Sequence, residues 1–107
     1  MCIRDRLSTP LLEFLILSVV SRDDSYGYEI SQQLKTVSNT KDSTLYPILK
    51  RLQENGLVDT YDQQFQGRNR RYYKITPDGR GTCEYLDNEW KKYVDAINEI
   101  AYGGEEK

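Results

Sequence analysis

The sequence predicts a winged helix-turn-helix, mainly α with a small β-hairpin, extended by a long C-terminal dimerisation helix. Three observations predict it. Apolar residues recur at helical spacing in three successive stretches before Asn55-Gly56. Two stretches with period-two alternation follow, separated by a polar segment that holds Gly67. A last helical pattern starts at Thr76-Pro77 and keeps an apolar stripe almost to the end of the chain.

Residues 1–7 show no apolar period and read as a disordered or non-native leader, set aside from fold reasoning. Ser8-Thr9-Pro10 opens the first helix with a capping hydroxyl and a proline in the first turn. Leu11, Leu12, Leu15, Ile16 and Val19 make its stripe, over about residues 9–21. The second helix is expected over about 25–37 from Tyr26, Ile30 and Leu34. Gly27 within it suggests the close approach of another backbone, from the first helix or the wing; plain tolerance near a helix start is the alternative. Val37 to Thr40 reads as a turn.

The third helix spans about 41–55, with Leu45, Ile48, Leu49 and Leu52 inward and Asn55-Gly56 as its stop. Pro47 inside it removes one hydrogen bond and bends the first turns. Residues 57–61 and 71–75 alternate as half-buried strands, joined by a long loop over Asp62 to Arg70. Tyr73 and Ile75 share one face and Tyr72 takes the other, which leaves open which tyrosine is buried. The domain is thus 8–76, the C-terminal helix 77–103 and the tail 104–107.

A chain of 107 residues suffices for one domain and one modest core. No apolar run approaches the roughly 18 residues that cross a bilayer, and no cleavage site follows the run at Leu11 to Val20, so a cytoplasmic location is expected. Cys2 and Cys83 form no metal-binding spacing, and the chain holds no histidine. With no phosphate-binding glycine loop either, no enzyme, no metal site and no cofactor is expected. The net charge is −2, but its distribution is uneven. Residues 41–80 carry eight cations and five anions, whereas residues 81–107 carry three cations and seven anions.

The middle third therefore holds the candidate interface. With the leucines of the third helix inward, Ser43, Tyr46 and Lys50 form an outward stripe, with Lys41 and Thr44 at the helix start. The first residues of a recognition helix reach base edges in the major groove. The segment Gln66, Gly67, Arg68, Asn69, Arg70, Arg71 sets three arginines among hydrogen-bonding amides, a composition suited to phosphate oxygens or a narrow minor groove. The expected partner is double-stranded DNA. A winged-helix module that binds protein and not DNA is the second reading, favoured by the acidic total and by Asp42, Asp59 and Asp62 nearby. In the last helix, Leu86, Trp90, Tyr93, Val94, Ile97 and Ile100 form a stripe that one small domain cannot cover, which suggests a two-fold dimer.

Tyr26-Gly27-Tyr28-Glu29-Ile30, Thr44-Leu45-Tyr46-Pro47-Ile48-Leu49-Lys50-Arg51-Leu52, Gly56-Leu57-Val58 and Gly67-Arg68-Asn69-Arg70-Arg71-Tyr72-Tyr73-Lys74-Ile75-Thr76 together resemble the PadR-type transcriptional regulators. The likeness covers about residues 8–100, and the single C-terminal helix resembles the small subgroup. It implies a homodimeric regulator, usually a repressor, on a palindromic operator. Ser43, Thr44, Tyr46 and Lys50 then match the DNA-facing helix, and Gly67, Arg68, Arg70 and Arg71 the wing. Trp90 matches a tryptophan that stacks planar ligands across the dimer centre in multidrug-responsive members. Asp87 departs from that pattern, being acidic where such a member has an aromatic residue. A tryptophan pair at a dimer axis would suit a small aromatic effector, with Asp87 or Glu84 supplying charge; the plainer reading of Trp90 is a dimer-core residue.

Overall fold

A computed structural model describes residues 9–37 and 41–103. The expected leader at 1–7, the cap at Ser8, most of the turn at Val37 to Thr40 and the tail at 104–107 lie outside the described residues. The elements in chain order are α1 (Thr9–Arg22), β1 (Ser25–Tyr26), α2 (Gly27–Leu34), α3 (Asp42–Glu54), β2 (Val58–Phe65), β3 (Arg68–Ile75) and α4 (Pro77–Tyr102). Three helices, a winged sheet and a long terminal helix make the fold a winged helix-turn-helix.

The core forms where the apolar faces of α1, α2 and α3 meet the inner face of the sheet. Ile16, Leu17 and Val20 of α1, Ile30 and Leu34 of α2, and Leu45, Leu49 and Leu52 of α3 are buried together with Val58, Tyr73 and Ile75. Tyr73 is thus the inward tyrosine of the pair. The third helix runs through Pro47, which is exposed, while Ile48 and Leu49 beside it stay buried.

Two expectations change. The second helix is shorter than its apolar spacing suggests, because Ser25–Tyr26 is extended and pairs with Tyr72 and Tyr73 as the third strand of an antiparallel sheet in the order β1-β3-β2. Tyr26 sits at φ −95° and ψ 164° and packs its ring edge-on against Tyr72 at 5.5 Å, which favours strand over helix there. The hairpin loop is also shorter. Val58 to Phe65 pairs with Arg68 to Ile75 without a break, so only Gln66 and Gly67 form the turn. Both have positive φ, 52° and 80°, the backbone that a two-residue turn needs to match the strand twist.

The start of α4 is tied to the turn that closes α3. Thr76 caps α4 by accepting from the Gly79 N–H at 2.9 Å, and its hydroxyl donates to the Gly56 carbonyl at 2.7 Å. The Thr76 N–H donates to the Leu57 carbonyl at 3.1 Å. A Cβ on Gly79 would overlap that Leu57 oxygen, so the glycine lets the helix press directly on the turn. Beyond Trp90 the helix leaves the domain, and every residue from Lys91 to Tyr102 is exposed.

Candidate nucleic-acid interface

The surface at the start of α3 is built by its buried leucines. With Leu45, Ile48, Leu49 and Leu52 inward, Lys41, Ser43, Thr44, Tyr46 and Lys50 are all exposed on the other side. The buried Ser31 of α2 donates to Asp42 Oδ1 at 3.2 Å, which joins the two helices at the helix-turn-helix corner and holds this acid beside the helix start.

Tyr46 has a defined seat. A Cβ on Gly27 would lie 2.8 Å from its ring and hydroxyl, so the phenol occupies the space a side chain there would fill. Gly27 therefore opens α2, where a longer helix would have put it inside, and the group approaching it is a side chain of α3, not the backbone of α1 or the wing.

Between α3, the start of α2 and strand β3 lies an open cavity of about 500 Å³, lined by Tyr46, Gly27, Tyr28, Arg70, Arg71 and Tyr73 among others. It brings Tyr46 of α3 together with Arg70 and Arg71 of the wing, whereas Lys41, Ser43, Thr44, Lys50 and Arg68 lie outside its lining. Tyr28, 62% exposed, joins it from α2, a residue that the sequence does not mark as part of the interface. Its one signal is its place beside Tyr26-Gly27, in a stretch whose apolar spacing predicts only a helix. Burial raises the Tyr73 phenol above its ordinary pKa, Arg71 opposes that rise and Tyr46 adds to it.

The wing arginines differ in their surroundings. Arg68 is exposed at the turn, opposite Phe65, together with the exposed Gln66, Gly67 and Asn69. Arg71 is exposed and lies 3.6 Å from Asp62, its cross-strand partner. At 63% and 51% side-chain exposure this pair is weak enough for a phosphate to replace the carboxylate. Arg70 is half-buried, its guanidinium 4.4 Å from the centre of the Tyr26 ring and 4.5 Å from that of Phe65. Behind it, Tyr61 stacks on Tyr72 at 5.5 Å and donates to Asp24 Oδ2 at 2.7 Å. That bond pushes the Tyr61 phenol up to about 12.

On α4, Leu86 packs against the core, whereas Tyr93, Val94, Ile97 and Ile100 stay exposed. Trp90 sets its ring edge-on to Tyr93 at 5.2 Å. Asp87 pairs with Lys91 at 3.1 Å and lines a cavity of about 400 Å³ between α1 and α4, with Phe14, Ser18, Cys83 and Glu84. Among the described residues no cluster of three or more His, Cys, Asp or Glu could hold a metal ion, and no helix is long and apolar enough to cross a membrane.

A helix-turn-helix with an exposed helix start and an arginine-bearing wing around one concave surface defines a DNA-binding regulator. The pattern of the Transcriptional regulator PadR-like family matches residues 16–85, and the chain belongs to that family, one of transcriptional regulators and not of enzymes. Among solved structures it is similar to smu.1704 from Streptococcus mutans, at 49% identity and a TM-score of 0.88, covering 90% of this chain and 91% of that one. It is similar as well to a PadR family transcription regulator from Clostridium difficile, at 32% identity and a TM-score of 0.78, covering 84% and 97%. Transcriptional regulator Rv3488 of Mycobacterium tuberculosis is 35% identical over 66 residues, 61% of this chain and 62% of that protein.

Proposed function

We propose that this protein is a cytoplasmic, homodimeric repressor that reads a palindromic operator in double-stranded DNA. The observation that carries the reading is the shared surface of Tyr46 and Arg71 around one cavity between α3 and the wing. With α3 in the major groove, Ser43, Thr44 and Tyr46 address base edges, and Lys41 and Lys50 address phosphate or guanine. Gln66, Gly67, Arg68, Asn69, Arg70 and Arg71 form the wing on the flanking backbone, with Arg68 and Arg71 neutralising phosphates. The acidic total is no obstacle, because residues 41–80, which hold α3 and the wing, carry eight cations and five anions.

The dimer forms through α4. Leu86, Trp90, Tyr93, Val94, Ile97 and Ile100 contribute its face, and exposures of 46% to 87% for the last four of the named aliphatic and tyrosine positions leave apolar area for a second copy to cover. A small hydrophobic or aromatic effector would bind at Trp90, with Asp87 supplying charge, and relieve repression. Selection of duplexes by the purified protein tests the whole reading. It predicts enrichment of a palindrome whose half-sites lie about one helical turn apart. Retention of no duplex would support the alternative winged-helix module that binds protein and not DNA, and equal retention of all would refute sequence-specific reading.

A further inference from the structure

We propose that Arg70 is the positioning residue of the wing: held between the Tyr26 and Phe65 rings, its guanidinium locks the hairpin tip to the start of α2. The inference rests on the DNA-binding reading above and assigns Arg70 a different part in it from Arg68 and Arg71.

β1 pairs only with Tyr72 and Tyr73, so from Arg70 outward the wing is a two-stranded ribbon. Such a ribbon is marginal in water without a third partner. Arg70 lies two residues beyond Tyr72 on the same face, where a longer β1 would have supplied that partner. Its flat cation instead bridges Tyr26, the residue before α2, and Phe65, the last residue before the turn. A planar guanidinium suits two ring faces at once, which an ammonium does not. Arg70 forms no ion pair among the described residues, so the rings are its principal partners.

The far end of the clamp matters for recognition. Tyr26 is followed directly by Gly27, and Gly27 seats the Tyr46 ring of α3. A continuous path therefore runs from Phe65 through Arg70 and Tyr26-Gly27 to Tyr46. It sets the angle between the wing and the recognition helix, and with it where Arg68 and Arg71 meet the backbone.

Arg70→Lys and Phe65→Leu separate this role from simple phosphate contact, since neither removes a charge. Each is expected to weaken affinity for the selected operator about two- to fivefold. The slope of log affinity against log salt should not change, whereas a lost phosphate contact lowers it by about 0.9. The double variant should be no weaker than either single one, and Phe65→Trp should bind like the parent. In the DNA-free protein, amide exchange over residues 65–69 should quicken in both single variants, with the core amides unchanged. The proposal is overturned if Phe65→Leu binds like the parent while Arg70→Ala lowers the salt slope by about 0.9. Should the parent itself show no operator preference, the DNA reading fails on its own. Amide exchange then decides the clamp: unchanged exchange at the tip in both variants would sink it.

Discussion

The phenol of Tyr46 occupies the space that a side chain on Gly27 would fill, with ring and hydroxyl atoms 2.8 Å from the ideal Cβ position. This contact joins the first residue of α2 to the outward face of α3. It holds a large side chain, 44% exposed, in one place at the proposed reading surface.

Gly27→Ala should push the Tyr46 ring off this seat. The ring is at the end of a side chain that can rotate, so the cost to stability is expected to be small, about 1 kcal/mol. The larger consequence falls on base preference, because groups at base edges specify while phosphate contacts position. Duplex selection with Gly27→Ala should return a degraded half-site, with the salt dependence of binding unchanged.

Gly79→Ala should behave in the opposite way. Its added methyl would meet the Leu57 carbonyl, which is backbone and cannot turn aside. We expect a loss of about 3 kcal/mol, in the range of overpacked cores. Urea unfolding at fixed protomer concentration should show a lower midpoint with an unchanged slope.

The Tyr61–Asp24 hydrogen bond makes part of the stability pH-dependent. The folded phenol titrates at about 12 and the unfolded one at the ordinary value near 10. The protonated form is thus favoured by folding, and this contribution is complete below about pH 10. It is lost as pH rises towards 12. The parent should lose stability relative to Tyr61→Phe between pH 10 and pH 11.5, and the two should run parallel from pH 7 to pH 9. Denaturant midpoints across that range measure the difference.

Ile97→Asp should dissociate the proposed dimer, since it sets a carboxylate in the stripe that a second copy would bury. Ile97 is 46% exposed in the single chain, so the fold itself should be unaffected. Sedimentation should report a dimer for the parent and a monomer with the same circular dichroism for the variant.

Most of the fold was legible because its signals are local and periodic. The four apolar positions of α3 gave its inward face, and thereby the exposed positions of Ser43, Tyr46 and Lys50. β1 was hidden because two residues carry no period and Tyr26 fits the helical spacing of Ile30 and Leu34. The tight turn was hidden because Gln66-Gly67 lacks the asparagine or aspartate that usually marks positive φ at both positions. The differing surroundings of Arg70 and Arg71 could not be read at all. They depend on which strand faces Tyr26 and Asp62 approach, and that follows from register. Tyr28 was missed for the same kind of reason, since only the packing of α2 against α3 brings it beside Tyr46.

The central claim is that the exposed wing arginines neutralise DNA phosphates beside a base-reading α3. It is tested most directly by the salt dependence of operator affinity for the parent, Arg68→Ala and Arg71→Ala. Each variant should bind more weakly than the parent on both the operator and a scrambled duplex. In each, the slope of log affinity against log salt should be shallower by about 0.9, and the preference for operator over scrambled DNA should be kept. Slopes equal to that of the parent in both variants would contradict the account.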